Sequence, residues 1–370
     1  MRRRHDEDLD RRRPSRGRRV VGALAGLCAL TAAGALLLPR PHDAGRHDRD
    51  AAGAPSGTAD GRHAAPHVPA SRTAPATPAA RPAAADDDCE RPEAQSLSPS
   101  TAESGPTIRA IKERGYLRVG VDQNSYGWGY RDPNSAEDQV ELSGFDIDLA
   151  RRTADEILGP RADGQSPNIR FHAIPTNQRI PAVREGRVDM VVRTMTITCD
   201  RLEEVSFSAP YFTTGQQVLA PARSSVTGYD RSLAGLRICS AAGSTAHSRL
   251  EEDRRNGVPA VAEADIATTV PNQLDCLVRL QLGEVDAVVT DSALAASQAA
   301  QDPSVALKGE EFTEEYYGVA MAEDADDLVR RVNAVLRDYV ADGGWKRAYD
   351  RWLASTMPKP ADPPPAVYRD

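Results

Sequence analysis

The chain has 370 residues, and 46 lysines and arginines against 54 aspartates and glutamates give it a net charge of −8 at pH 7. This length is sufficient for two domains. The modest acidic balance, with no basic stripe interleaved with aromatic residues, excludes a nucleic-acid-binding surface. The sequence has no CxxC spacing that would indicate a zinc site, and we expect neither a metal nor a cofactor.

The N-terminal quarter is predicted to lie outside the folded part. Residues 1–19 are rich in arginine, and residues 20–38 carry no charge over a length that just spans a bilayer. Two interpretations remain open, a cleaved signal peptide and a transmembrane anchor. Residues 39–95 are dominated by Ala, Pro, Asp, His and Arg, which predicts a disordered tether. Both interpretations place the rest of the chain outside the cell, either secreted or anchored on the extracellular face of the membrane.

Four of the five cysteines follow the apolar span, and an exported chain with four thiols favours two disulfides. Three pairings are possible. We favour Cys239–Cys276 within one domain and Cys89–Cys199 as a staple at the start of the folded region. Free buried thiols are the alternative.

From about residue 108 the strand and helix signals alternate, as in a parallel α/β fold. The first half is predicted to contain a helix over 107–114 ended by Gly115, a strand over 116–121, a helix over 145–158, a strand over 169–174, a helix over 179–185 and a strand over 188–192.

The pattern then restarts. The second half is predicted to contain a strand over 236–240, a helix capped by 243–245, a helix over 274–282, a strand over 285–289, an extended segment over 316–321 and a helix over 325–353 broken at Gly343 and Gly344. Residues 181–189 and 277–286 share one plan of helix, glycine, acidic residue and apolar strand. This indicates two similar lobes, the alternative being chance reuse of the same turn between a helix and a strand.

Charged side chains follow two of the apolar strands. Arg201 comes shortly after the strand over 188–192, and Asp291 ends the strand over 285–289. Ligands of open α/β sheets bind outside the carboxyl ends of the strands. An arginine on one wall and an aspartate on the other suit a zwitterion, which points to an amino acid.

Eight stretches in this order resemble the family 3 extracellular solute-binding proteins, the polar amino-acid receptors of ABC importers. They are residues 117–122, 144–150, 177–182, 186–191, 194–201, 207–211, 243–245 and 285–291. Within that family the chain is most similar to the glutamate-binding subgroup of high-GC Gram-positive bacteria, which also carries a disulfide like Cys239–Cys276.

The resemblance implies an α/β fold of two lobes in the type 2 periplasmic-binding-protein arrangement, joined by two hinge strands and closing on ligand like a flytrap. Lobe 1 is expected over 96–217 and 320–357, and lobe 2 over 218–319. The hinges are expected near 215–220 and 316–321. Residues 358–370 are expected to form a disordered tail.

The resemblance also implies roles for single residues. Arg201 is expected to bind the ligand α-carboxylate through a paired hydrogen bond, the alternative being a surface pair with Glu203 or Glu204. Asp291 is expected to accept the ligand ammonium, the alternative being a helix N-cap. Thr194 and Thr196 present hydroxyls on one face.

Further candidates flank these residues. Ser244 and Thr245 open a helix whose free N–H groups favour an anion, or they are ordinary caps. Arg179 is our first candidate for a distal carboxylate, and Arg193 our second. Asp122, Tyr126 and Trp128 are predicted to form a wall of the site, although Trp128 is equally well explained as core.

The expected function is extracellular binding of glutamate or aspartate, or glutamine, with delivery to an ABC permease by lobe closure. A membrane-anchored amino-acid sensor that signals to a partner is the alternative. A dehydratase-like enzyme on the same fold is a remote one, because the chain has no GxSxG motif and only His172 and His247 lie in the folded part.

Overall fold

The computed structural model describes residues 89–134, 141–162 and 167–370. The predicted basic segment 1–19, the apolar span 20–38 and most of the tether 39–95 lie outside these ranges. Across the described ranges, no helix combines the length and apolar character that crossing a bilayer requires.

Fifteen strands form within the described residues. In chain order they are β1 (Leu117–Val121), β2 (Asn124–Ser125), β3 (Gly129–Arg131), β4 (Leu142–Ser143), β5 (Ile169–Ala173), β6 (Met190–Val191), β7 (Ser206–Phe207), β8 (Phe212–Thr214), β9 (Gln216–Pro221), β10 (Arg237–Ala241), β11 (Asp265–Val270), β12 (Ala287–Asp291), β13 (Val305–Lys308), β14 (Glu315–Tyr317) and β15 (Ala320–Met321).

Nine α-helices accompany them in the same part of the chain. They are α1 (Pro106–Arg114), α2 (Phe145–Leu158), α3 (Arg179–Arg184), α4 (Cys199–Leu202), α5 (Thr245–Arg255), α6 (Gln273–Gln281), α7 (Ser292–Gln301), α8 (Asp326–Ala341) and α9 (Gly344–Trp352). The helix α1 ends at Gly115, whose φ of 79° is readily adopted only by glycine.

Two five-stranded sheets of matching topology define the two lobes. The sheet of lobe 1 has the order β5-β1-β6-β15-β7, and that of lobe 2 has the order β11-β10-β12-β9-β13. In each sheet the fourth strand of the order, β15 or β9, runs antiparallel to its neighbours, and the other four strands run in one direction. This repetition agrees with the shared plan of residues 181–189 and 277–286.

The chain crosses between the lobes twice, in a two-stranded ribbon. Strand β8 lies between β7 of lobe 1 and β9 of lobe 2, and β14 lies between β13 of lobe 2 and β15 of lobe 1. The two pair antiparallel, with Thr214 opposite Glu315. The expected boundary at 217/218 is therefore too late, because all of β9 belongs to the second sheet.

Each sheet is covered by helices on both faces, which is why its central strands are apolar throughout. In lobe 1, α1, α2, α8 and α9 pack on one face and α3 on the other. In lobe 2, α5 packs on one face and α6 and α7 on the other.

Two segments predicted to be disordered contact lobe 1. Residues 89–95 contain a short 3₁₀ helix over Pro92–Ala94 and are tied down by Cys89. At the other end, Tyr368 pairs with Ser96, and the carboxylate of Asp370 contacts Arg330. Composition misses both segments, because their partners lie far away in the sequence.

Both predicted disulfides, Cys89–Cys199 and Cys239–Cys276, are formed. Cys239 on β10 and Cys276 on α6 are fully buried, so the second bridge ties a helix to the sheet of lobe 2. Cys199 is the first residue of α4, the helix that carries Arg201. The first bridge therefore holds the N-terminal segment against that helix.

Replacing Cys239 and Cys276 together with alanine is expected to lower the free energy of unfolding by about 4 kcal/mol. The bridge spans 37 residues, and closing a loop of that length restricts the unfolded chain by about this amount. Chemical denaturation under oxidising conditions measures the difference. An unchanged midpoint would contradict the structural role of the bridge.

Candidate functional site

A polar cavity lies between the two lobes, at the carboxyl ends of the parallel strands. Side chains from both lobes line it. They are Asp122, Thr176, Arg179, Arg193, Thr194, Thr196 and Arg201 from lobe 1, and Ser244, Thr245, Ala246, Gln273, Thr290, Asp291 and Leu294 from lobe 2. Nine of the ten predicted ligand-binding residues are in this set. Tyr126 is not.

Arg201 is held in place by the first turn of α4. The hydroxyl of Thr198 caps that turn by accepting a hydrogen bond from the Arg201 amide. The guanidinium is buried, donating to the carbonyl of Thr196 at 2.6 Å and to the carbonyl of Gly243 in lobe 2 at 3.1 Å. Burial lowers the pKa of Arg201, and the charges of Glu315 and Asp291 oppose that effect.

The structure does not favour the surface alternative for Arg201, because the side chain is buried and Glu204 pairs with the exposed Arg184.

Asp291 ends β12 and faces the same cavity. It occupies the N-cap position of α7, but its carboxylate makes no capping hydrogen bond. It accepts instead from the hydroxyl of Tyr317. Burial raises the pKa of Asp291 to about 7, and the nearby Glu315 adds to the rise, while Arg179 and Arg201 counteract it. The side chain is thus an acceptor buried opposite a guanidinium.

Glu315 is a buried carboxylate that the sequence analysis missed. It accepts hydrogen bonds from Gln216, Thr245 and Thr313 at 2.7–3.2 Å, and its charge acts on both Arg201 and Asp291. Its position follows from the pairing of β14 with β8, which no local motif encodes. It links the ribbon between the lobes to the charged end of the cavity.

Arg179 lines the cavity, but its hydrogen bonds are made to backbone carbonyls. Nε donates to Thr176, Nη1 to Arg193 and Thr194, and Nη2 to Gly243. Burial lowers its pKa, and the charges of Arg201 and Arg193 lower it further. These contacts give Arg179 a role in holding the loop before Thr194, which leaves it a weaker candidate for a distal carboxylate than we expected.

Arg193 is almost fully buried and forms an ion pair with Asp122 at 2.9 Å. It also donates to the hydroxyl of Thr176 at 3.0 Å and to the side-chain oxygen of Asn272 in lobe 2 at 3.4 Å. The guanidinium is directed into the interior of the site. The side-chain charge of this end of the cavity is therefore nearly balanced within the protein.

Thr194 adopts a strained backbone conformation, with a φ of 41° that β-branched residues rarely tolerate. Its amide donates to the carboxylate of Asp146 and to the hydroxyl of Tyr211, and these contacts hold it there. Burial raises the pKa of Asp146 to about 7. Strain of this kind is found at sites where a loop is shaped for ligand.

Of the remaining predicted residues, two line the cavity and two do not. Ser244 caps α5 by accepting from the His247 amide, and Thr245 donates to Glu315. Tyr126 is 41% exposed, contacts the ring of Tyr130, and is not among the residues that line the cavity. Trp128 is core, packed against Phe145, Phe212 and Tyr317.

The lobes are closed upon each other. Besides the two arginine contacts to the Gly243 carbonyl, the amide of Thr176 donates to the carbonyl of Pro271 at 2.9 Å. Gly243 has a φ of 75°, and a Cβ there would lie 2.9 Å from the Cα of Asn177 in lobe 1. Glycine at this position thus permits the close approach of the two lobes.

Among the described residues, no group of three or more histidine, cysteine, aspartate or glutamate side chains is arranged to hold a metal ion. The donors that line the cavity are guanidinium, hydroxyl and amide groups, which suit an anionic or hydrogen-bonding organic ligand.

The chain is similar in sequence to known binding proteins. The chain is 31% identical to the ABC transporter glutamine-binding protein GlnH of Bacillus subtilis, over 67% of this chain and 84% of that one. It is 28% identical to the glutamate-binding protein GluB of Corynebacterium efficiens, over 66% and 81% of the two chains.

Solved structures of amino-acid-binding proteins have a similar fold. An ancestral arginine-binding protein bound to glutamine superposes with a TM-score of 0.56 at 31% identity, over 65% of this chain and 98% of that one. A mutant of ArgBP from T. maritima gives a TM-score of 0.59 at 26% identity, over 67% and 99%. Residues 117–355 match the profile of the bacterial extracellular solute-binding proteins, family 3. With its two lobes, crossing ribbon and enclosed polar cavity, the chain belongs to that family.

Proposed function

We propose that this protein binds an α-amino acid outside the cell, with Arg201 holding the α-carboxylate and Asp291 the ammonium group. The observation that carries the proposal is that these two side chains, one from each lobe, line the same buried cavity. A guanidinium matches the plane of a carboxylate with two parallel hydrogen bonds. Gripping both ends of one ligand from opposite lobes couples binding to closure.

The ligand class we propose is an amino acid with a carboxylate or amide side chain: glutamate, aspartate or glutamine. Two relatives are named for glutamine and glutamate. The cavity also offers hydroxyl and amide groups beyond Arg201 and Asp291, among them Thr176, Thr290 and Gln273. Such groups suit a polar side chain and disfavour an apolar one.

We further propose that the closed, loaded form delivers its ligand to an ABC permease at the membrane, and that the protein is a receptor and not an enzyme. The name of the Bacillus subtilis relative supports delivery. Retention at the membrane through residues 20–38 belongs to the same proposal. Sequencing the N-terminus of the mature protein distinguishes an anchored form from a released one.

Calorimetric titration against the twenty amino acids tests the ligand. Binding of an acidic or amide amino acid, with no heat from leucine or lysine, is the expected result. Recovery of the ligand unchanged after prolonged incubation would agree with a receptor. A protein that folds normally and binds none of the twenty would contradict the proposal.

Binding at pH 6 is expected to release a proton from Asp291. Its pKa is raised to about 7, so the carboxyl is mostly protonated below pH 7 and must ionise to accept an ammonium group. Affinity should therefore fall as the pH is lowered, by roughly 20-fold between pH 7.5 and pH 5.5. Calorimetry in two buffers with different ionisation enthalpies counts the protons.

The variant Asp146→Asn identifies the source of the proton, because the pKa of Asp146 is also raised to about 7. Proton release that persists in this variant belongs to Asp291. Release that disappears with Asp146 would contradict the assignment.

A further inference from the structure

Two residues that line the cavity each carry a buried side-chain donor without a hydrogen-bond partner. The donors are Nε of Arg193 and Nε2 of Gln273. Both residues are more than nine-tenths buried, at 2% and 5% exposed. A buried donor with no acceptor costs free energy, and buried polar groups in folded proteins are nearly always paired. Two such donors in residues that line one cavity indicate that an acceptor belongs between them.

The two residues come from opposite lobes and lie close to each other across the cleft. Arg193 follows β6 in lobe 1, and Gln273 is the first residue of α6 in lobe 2. Nη2 of Arg193 reaches the side chain of Asn272, the residue immediately before Gln273. Closure of the lobes is therefore what brings the two residues together.

This end of the cavity is distinct from the end that holds Arg201. The hydrogen-bond partners of Arg193 are Thr176 and Asn272, whereas those of the Arg201 guanidinium are the carbonyls of Thr196 and Gly243. Arg179 connects the two ends, because it shares the carbonyl of Gly243 with Arg201 and donates to the carbonyl of Arg193. A ligand held by Arg201 and Asp291 would extend its side chain past Arg179 toward Arg193 and Gln273.

We infer that Arg193 and Gln273 form the subsite for the ligand side chain, and that they select a side chain ending in a carbonyl or carboxylate oxygen. This inference rests on the proposed function and deepens it. The charge of Arg193 is already matched by Asp122 at 2.9 Å, and Gln273 is neutral. What the subsite lacks is a hydrogen-bond acceptor, which both glutamate and glutamine supply.

The inference predicts that the protein discriminates against ligands with an apolar side chain. An apolar side chain of the same length would leave both donors buried and unsatisfied, and sites built to hydrogen-bond a substrate group reject analogues that lack it very strongly. Norvaline, which has the carbon chain of glutamate without its terminal oxygens, is the matched probe. We expect the wild-type protein to bind glutamate or glutamine at least ~100-fold more tightly than norvaline.

The test measures this ratio by calorimetry in two variants. Gln273→Met removes the donor and nearly conserves volume, and we expect the ratio to fall by about tenfold, through weaker binding of the polar ligand. Gln298→Met is the matched control: Gln298 is 4% exposed and its Nε2 donates to the Gln273 carbonyl, but the side chain is not among those that line the cavity. The control should keep the wild-type ratio.

Two further variants complete the test. Arg193→Lys keeps the charge beside Asp122 but removes Nε, and should lower the ratio even if Gln273→Met folds poorly. Gln273→Glu places a carboxylate in the subsite and should weaken glutamate much more than glutamine.

The inference is overturned if Gln273→Met and Arg193→Lys fold and retain the wild-type ratio, or if Gln273→Glu affects glutamate, glutamine and norvaline equally. Failure of the proposed function looks different, because the wild-type protein would then bind no amino acid and no ratio would exist.

Discussion

Replacing Arg201 with alanine is expected to weaken amino-acid binding by at least about 30-fold. The ligand carboxylate would lose its guanidinium partner inside a buried cavity. Truncating one partner of a desolvated, hydrogen-bonded charge pair costs about 2–5 kcal/mol, most of it the penalty of leaving the other charge unpaired. Calorimetric titration of the variant with the best wild-type ligand gives the difference.

Two companion variants make this result specific. Arg201→Lys keeps a positive charge but not the planar fork, so it should recover only part of the lost affinity. Arg184→Ala removes an arginine whose side chain is 58% exposed and paired with Glu204 at the surface. That control should bind as the wild type does. Comparable losses in Arg184→Ala and Arg201→Ala would show that the effect is general and would contradict the assigned role.

Changing Asp291 to asparagine should have the second-largest effect, because it removes the charge that receives the ammonium group while conserving shape. Loss of about 2–4 kcal/mol of binding free energy is expected. Above pH 7, the free energy of unfolding should be higher in the variant than in the wild type. There the wild-type carboxyl, whose pKa is raised to about 7, is ionised in a buried position, whereas the amide is neutral.

The matched control for this variant is Asp286→Asn. Asp286 lies five residues earlier, and its side chain is 35% exposed and paired with Arg237. It should alter neither the affinity nor its dependence on pH. If Asp291→Asn binds within threefold of the wild type, the ammonium group is received elsewhere, and Glu315 becomes the next residue to test.

Local signals were sufficient to predict much of the fold. The helix predicted over 145–158 has the same two ends as α2, and the helix predicted over 107–114 is ended by Gly115 as expected. Both disulfide pairings are formed. The two helices depend on short-range chemistry, namely apolar periodicity and glycine in a left-handed turn. The count of cysteines left three pairings open, and the favoured one is formed.

Elements defined by distant partners were missed. The strand β11 over Asp265–Val270 was not predicted, because its polar alternation acquires meaning only beside β10. The first hinge was expected near 215–220, whereas strand β8 of the ribbon begins three residues earlier, at Phe212. Tyr368 and Asp370 were assigned to a frayed tail, although Ser96 and Arg330 hold them.

The sequence by itself determined that an arginine and an aspartate follow two corresponding strands, because strand ends and charges can be read directly from the chain. Only the tertiary structure decided which polar side chains remain available to a ligand. Arg179 is occupied by four backbone carbonyls, Arg193 and Gln273 each retain an unpaired donor, and Glu315 joins the charged end of the cavity. Their hydrogen-bond partners lie on segments up to about a hundred residues away, and folding alone brings those segments together.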